Sequence, residues 1–99
     1  MIDNHLILSK AGKIENCLSR IIKKKPGLLD EFLANQDLQE IILFNLQIAI
    51  QNCIDIASHI VSDQGFGLPG SNNEMFYMLQ DNGYLDLNLT EKMVAAVGF

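Results

Sequence analysis

The sequence predicts an all-α fold, an antiparallel helical bundle with short links between its helices. Apolar residues recur at steps of four and three over two long segments, which is the spacing of amphipathic helices. No segment of useful length alternates apolar and polar residues as a strand would. At 99 residues the chain has room for one hydrophobic core, so we expect a single domain over residues 1–99.

The first predicted helix runs from about Asn4 to Lys24. Three lysines close it, where positive charge is favourable at the negative end of the helix dipole, and Pro26-Gly27 is expected to stop it. Its apolar stripe consists of Ile7, Ala11, Ile14, Leu18 and Ile21.

A short apolar and acidic segment, residues 28–34, is predicted to be helical, and the longest helix follows it. Gln36 and Asp37 are candidate caps for its start, and Gly65 is a suitable stop. Because its apolar stripe is two rows wide, we expect this helix to contact more than one neighbour and to form the core of the bundle. The rows are Ile42, Leu46, Ala49, Cys53, Ile56 and Ile60, and beside them Leu43, Ile50, Ile54, Ala57 and Val61.

Two shorter helices are predicted after a loop at residues 66–70. Ser71 and Glu74 form a capping box for the first, which ends at Asn82-Gly83. Residues 84–89 are expected to connect it to a last helix capped by Thr90. The apolar faces of the two helices are Met75, Phe76 and Leu79, and Met93, Val94, Ala96 and Val97.

The composition indicates a cytoplasmic protein. The sequence has no signal peptide and no run of 18 apolar residues, so we expect no membrane span. Cys17 and Cys53 lie in apolar segments and are interpreted as buried thiols of an intracellular protein. A net charge of −5 argues against coating nucleic acid by bulk charge, although a local basic site remains open.

Four polar residues form one line on the otherwise apolar core helix: Asn45, Asn52, Asp55 and His59. This line is interpreted as the wall of a cleft, a polar stripe at an interface, or a solvated face. A basic cluster, Arg20 with residues 23–25, either grips phosphates or only complements the helix terminus.

No metal or cofactor site is expected. Cys53 and His59 are six residues apart, which does not suit two metal ligands on one helix, and Cys17 adds no recognisable spacing. The glycines at 65, 67 and 70 are interpreted as a turn, since no strand precedes them and no Gly-Lys-Ser/Thr follows. No nucleophile triad or carboxylate pair is evident.

The second half of the sequence resembles the HepT-like members of the HEPN superfamily. The matching segments, in order, are Asn45-Leu46-Gln47, Asn52-Cys53-Ile54-Asp55-Ile56-Ala57-Ser58-His59, Leu68-Pro69, Phe76 to Leu79, and Met93-Val94 with Val97-Gly98-Phe99. The resemblance implies a HEPN-like bundle of the four-helix type, with the last helix missing here. It also implies a toxin of a toxin–antitoxin pair that cleaves RNA without metal.

In this family the Gly-Phe pair is followed by Arg-Asn-x-x-x-His, whose Arg and His act on RNA by charge stabilisation and acid–base catalysis. The resemblance therefore implies a chain cut just before its catalytic motif. Arg20, His59, Tyr77 and Tyr84 do not correspond to motif residues. We expect no catalytic residue in these 99 residues and no ribonuclease activity from them.

The resemblance further implies a homodimer, an MntA-type nucleotidyltransferase antitoxin as partner, and RNA as substrate of the full-length form. Relatives often have Glu where this sequence has Gln51, which puts activity in question even in a longer chain. The candidate cleft or interface residues are Asn45, Gln51, Asn52, Asp55 and His59. The alternative is a non-enzymatic HEPN module that dimerises or docks a nucleotidyltransferase.

Overall fold

A computed structural model describes residues 2–24, 27 and 29–98. It has five helices and, over these residues, no strand: α1 (Asn4–Lys24), α2 (Leu29–Ala34), α3 (Gln36–Asp63), α4 (Asn72–Asp81) and α5 (Leu87–Val97). The all-α prediction is confirmed, and so are both predicted bounds of the first helix. Lys25, Pro26, Leu28 and Phe99 lie outside the described residues, together with the predictions made for them.

The pairing of α1 with α3 is the most extensive helix contact of the fold. The two helices run antiparallel, because Asp3, just before α1, contacts His59 near the end of α3, whereas Lys10 contacts Asp55 one turn earlier on α3. α2 packs against α3, and α4 packs against both α3 and α5. The longest helix is therefore the central one, as the width of its apolar stripe predicts.

The hydrophobic core lies where the second half of α3 packs against α4 and α5. The buried cluster consists of Ala57, Val61, Met75, Phe76 and Leu79, and the partly buried Met93, Val94 and Val97 of α5 pack against it. Burying an apolar side chain of this kind contributes about 1.5–3 kcal/mol each. This cluster does not extend to the first half of α3, where Ala49 is buried but Ile41, Leu43 and Phe44 remain exposed.

Two predicted helix caps are wrong by one turn or less. α3 is capped by Asn35, whose side chain accepts a hydrogen bond from the backbone N–H of Leu38, and not by Gln36 or Asp37. α5 is capped by Asp86, whose carboxylate accepts a hydrogen bond from the backbone N–H of Leu89, and not by Thr90. Thr90 lies inside α5, fully buried, and its hydroxyl donates to the carbonyl of Asp86.

The capping box before α4 is only half formed. Ser71 accepts a hydrogen bond from the backbone N–H of Glu74, as predicted. The Glu74 carboxylate, however, accepts from the N–H of Gly70 at 2.9 Å, one residue before the cap. The chain reverses after α3 and α4 at Gly65 and Gly83, which have positive φ angles of 67° and 82° that favour glycine.

By length and apolar composition, α3 is one described helix that meets the requirement for crossing a bilayer. The absence of 18 consecutive apolar residues had predicted no such segment. In the fold α3 packs against α1, α2 and α4 and carries Asn45 and Asn52 buried inside the protein. Those contacts are typical of the core helix of a bundle.

Candidate functional site

A line of polar contacts joins α1 to α3, and we call it the polar seam. It consists of Asp3 and Lys10 on the α1 side and Gln51, Asp55 and His59 on the α3 side. Three of the five predicted candidate residues therefore make contacts of the seam, in two separate groups: Gln51 and Asp55 with Lys10, and His59 with Asp3. The other two, Asn45 and Asn52, are buried and make none of these contacts.

Asp55 is held from two sides. The Lys10 ammonium donates to one carboxylate oxygen at 3.1 Å, and the Gln51 amide donates to the other at 3.0 Å. The Gln51 and Lys10 hydrogen bonds, aided by the charges of Lys10 and Lys13, hold the pKa of Asp55 below its ordinary value against partial desolvation. Both side chains of the ion pair keep some solvent contact, with 23% of Lys10 and 37% of Asp55 exposed.

His59 fixes the start of α1. Its Nε2 atom accepts a hydrogen bond from the backbone N–H of Asp3 at 3.0 Å. Asp3 in turn caps α1, because its carboxylate accepts from the backbone N–H groups of His5 and Leu6. One histidine on α3 thus locates the first turn of another helix.

Asn45 and Asn52 both bond back to their own helix. Their side-chain NH2 groups donate to the carbonyls of Ile41 and Ile48, each at 2.8 Å. The Oδ1 atom of Asn45 is buried without a hydrogen-bond partner in the described part of the chain. The solvated-face interpretation is therefore wrong for these two residues, which are only 5% and 6% exposed.

The seam is suited to positioning rather than to proton transfer. A carboxyl with a lowered pKa is ionised at neutral pH and cannot act as a general acid there. The Nε2 lone pair of His59 is already engaged by the backbone N–H of Asp3, which ties this side chain to the start of α1. The geometry thus assigns Asp55 and His59 a role in holding two helices together.

Gln51 has a specific part in this arrangement. Its amide donates to Asp55, whereas an ionised Glu at this position would have no proton to donate and would place a second negative charge beside Asp55. The residue that departs from the family resemblance is thus matched to its neighbour in this chain.

Cys17 and Cys53 are free thiols with different environments. Cys17 is buried as predicted, but Cys53 is only half-buried, and desolvation raises the pKa of its thiol. Within the described ranges no group of three or more His, Cys, Asp or Glu residues is placed to hold a metal ion.

The glycine-rich loop after α3 is a turn, as predicted. It borders an open cavity of about 470 Å³ lined by Ser58, Val61, Ser62, Gly65, Gly67, Leu68, Pro69 and Met75. Glu74 places its carboxylate on the Gly70 N–H at the beginning of α4. A phosphate would meet negative charge at this helix start, so the loop is unsuited to phosphate binding.

An apolar groove of about 210 Å³ opens between α3, α4 and α5. Its lining comprises Cys53, Ile56, Ala57, Ile60, Phe76, Leu79, Tyr84, Leu85, Leu89 and Met93. Because few polar atoms face it, the groove offers packing surface and no evident chemistry.

Two residues of the seam, Asp3 and Lys10, were not predicted. A cap signal for Asp3 exists in the sequence, since an Asp directly precedes the apolar periodicity of α1. Nothing local marks Lys10, because its partner Asp55 is 45 residues away in the sequence.

Comparison with known proteins gives consistent matches over nearly the whole chain. The family model described as ribonuclease HepT-like matches residues 14–99. The chain is 33% identical over 95 residues to the mRNA nuclease HepT of Shewanella oneidensis, covering 96% of this chain and 71% of that protein.

Solved structures with the same fold include toxin–antitoxin complexes. One, a toxin–antitoxin with AMP-PNP, superposes with a TM-score of 0.88 at 32% identity over 95% of this chain and 70% of the other. A second is the tri-AMPylated Shewanella oneidensis HEPN toxin in complex with MNT antitoxin. It has a TM-score of 0.87 at 32% identity, covering 94% and 69% of the two chains.

The unpartnered oxygen of Asn45 yields a stability prediction. A buried acceptor without a partner costs about 1–3 kcal/mol, so Asn45→Leu is expected to be neutral or stabilising. Asn52→Leu is the matched control, since it loses the same kind of back-bond without relieving such an oxygen. Urea unfolding should place Asn45→Leu about 1 kcal/mol above Asn52→Leu, and the reverse order would contradict this account.

The lowered pKa of Asp55 yields a pH prediction. A carboxyl whose folded pKa is depressed stabilises the fold above its unfolded pKa of about 3.9, and this contribution is lost as the pH falls through the folded pKa. Asp55→Asn should therefore lower the free energy of unfolding at pH 7, by less than about 1 kcal/mol because the pair is partly exposed.

That deficit should shrink towards zero as the pH is lowered below about 4, measured by urea unfolding of both proteins between pH 7 and 3. Asp81→Asn, at an exposed position of α4, serves as control and should show no such trend. A deficit for Asp55→Asn that is independent of pH would refute the ion-pair explanation.

Proposed function

The chain belongs to the ribonuclease HepT-like family, and we propose that it is a toxin subunit that acts on RNA and is neutralised by a nucleotidyltransferase antitoxin. The observation that carries this proposal is the similarity over residues 14–99 to a family whose curated relative is an mRNA nuclease. The partner is proposed because a solved relative is a HEPN toxin bound to an MNT antitoxin.

The described residues contribute the framework of such an enzyme. The polar seam sets the distance and register between α1 and α3, and the core cluster fixes α4 against α3. Family chemistry needs an Arg and a His in Arg-Asn-x-x-x-His. Arg20 is the only arginine of the 99-residue sequence, and the sequence around it does not form that motif. The reacting groups are therefore not among the residues of the seam.

A non-enzymatic module is the second candidate function. In that case the bundle dimerises or docks a nucleotidyltransferase and cleaves nothing. One observation favours it: Gln51, where relatives often have Glu, donates its amide to Asp55. Both candidates place the protein in the cytoplasm, where RNA is available and where free thiols such as Cys17 and Cys53 persist.

We also propose that the chain forms a homodimer. Several large apolar side chains are uncovered in the single chain, with exposed fractions of 69% for Leu8, 73% for Ile22, 62% for Phe44 and 96% for Leu68. Exposed apolar surface of this kind drives association.

Light scattering over a dilution series should accordingly give about twice the chain mass of 11.1 kDa. Raising the salt concentration should not dissociate the dimer, because apolar burial is not screened by ions. A mass of 11.1 kDa at every concentration would contradict the proposal.

A cleavage assay separates the two candidate functions. The 99-residue chain alone is expected to leave RNA intact, because it lacks the Arg and His of the family motif. Reading the gene past the Phe99 codon comes first. If Arg-Asn-x-x-x-His follows, the longer protein should cleave RNA, and a nucleotidyltransferase antitoxin with ATP should suppress the cleavage.

If a stop codon follows, the non-enzymatic module is favoured. The variant Asp55→Ala provides the control for the short chain. Cleavage of RNA by the purified 99-residue chain, lost on Asp55→Ala, would overturn the prediction of inactivity and make the seam itself a catalytic site.

A further inference from the structure

We propose that one face of α1 binds the RNA phosphate backbone. This basic face consists of Lys13, Arg20 and Lys24 and begins beside Lys10 at the polar seam. The inference deepens the proposed function and rests on RNA being the ligand.

The charges of the chain are strongly segregated. α1 carries five of the seven Lys and Arg residues, with Glu15 as its single acid, whereas residues 26–91 contain ten Asp and Glu residues and no Lys or Arg. A polyanion is repelled by most of this acidic molecule. α1 is consequently the one described helix whose own charge attracts RNA.

The basic residues of α1 are also aligned. At about 100° per residue, Lys10, Lys13, Arg20 and Lys24 fall within an arc of about 80° around the helix axis. They extend over 14 residues, or about 21 Å at 1.5 Å per residue. Lys23 lies about 100° away from Lys24 around the helix and is outside this face.

Three of these side chains are available for a ligand. Lys13, Arg20 and Lys24 are exposed, and none is in an ion pair with another described residue. Lys10 differs, since its ammonium is paired with Asp55 and is only 23% exposed. Lys10 therefore anchors one end of the face to α3, and the three free cations provide the contacts to phosphate.

An RNA backbone fits this arrangement better than an isolated anion. Cations spaced along one side of a rigid helix match a ligand whose charges repeat along a line. The long Lys and Arg side chains let each cation adjust to its own phosphate. Affinity from such contacts is expected to be independent of base sequence and to fall as salt concentration rises.

The test is binding of a fluorescent 2′-O-methyl RNA oligonucleotide, which cannot be cleaved, measured by anisotropy at several salt concentrations. Arg20→Gln/Lys24→Gln should weaken binding about tenfold at low salt. It should also reduce the slope of log affinity against log salt by about 1.4, or about 0.7 for each lost phosphate contact. NMR shifts on titration with the RNA should map to residues 10–24.

The matched control is Lys23→Gln/Lys92→Gln. It removes the same net charge, but from a position on α1 about 60° from Arg20 and 100° from Lys24, and from α5, and should lower affinity and slope less than Arg20→Gln/Lys24→Gln does. Equal losses in the two double variants would overturn the proposal, because binding would then follow net charge and not the basic face. Circular dichroism should give the same helix content for both variants, since all four positions are exposed.

An acidic protein is the competing ligand. Oligoglutamate of the same charge that binds as tightly as the RNA, with the same loss in Arg20→Gln/Lys24→Gln, would assign the face to a protein and overturn the inference. An absence of RNA binding at low salt would do so as well.

These outcomes are independent of the cleavage assay. Binding of RNA to α1 without cleavage would support the basic face as an RNA-binding site and favour the non-enzymatic module. If the longer protein cleaves RNA and Arg20→Gln/Lys24→Gln leaves cleavage unchanged at subsaturating RNA, the ribonuclease function is supported. The proposal that the basic face binds RNA is then refuted.

Discussion

The antiparallel pairing of α1 with α3 is the constraint on which the rest of this structure depends. It contains the polar seam, in which Lys10 meets Asp55 and Asp3 meets His59. A purely apolar contact between two helices tolerates sliding, whereas a charge pair and a backbone bond to a histidine at defined levels specify one register. The seam therefore contributes more to specificity than to stability, as expected for partly exposed ion pairs.

The helices of this fold could be predicted from sequence because each depends on local spacing. The apolar periodicity located α1 and identified α3 as the central helix, and the lysines at residues 23–25 gave the end of α1. Caps were less certain, because several suitable residues stand side by side: Asn35 precedes Gln36 and Asp37, and Asp86 precedes Thr90 by one turn. Only the local backbone decides which of them caps the helix.

The site was predictable only in part. Asn45, Asn52, Asp55 and His59 stand out as polar residues on an apolar helix, and that signal is local. Their partners are not, since His59 bonds a residue 56 positions away and Asp55 one 45 positions away. Comparison supplied what geometry did not, namely similarity to an mRNA nuclease, whereas a net charge of −5 does not by itself suggest RNA as a ligand. The proposed RNA-binding face on α1 is compatible with this net charge, because five of the seven Lys and Arg residues lie on that helix.

The core is distributed unevenly along α3. All of its buried apolar cluster residues on that helix lie at or beyond Ala57, while Ile41, Leu43 and Phe44 near its start remain exposed. One continuous helix thus belongs to two environments, and its backbone hydrogen bonds are protected by different amounts of packing. Amide hydrogens of the first turns are expected to exchange through local fraying and those near Val61 only through global opening. The exposed end, beside α2, is therefore expected to open locally before the end that carries Val61.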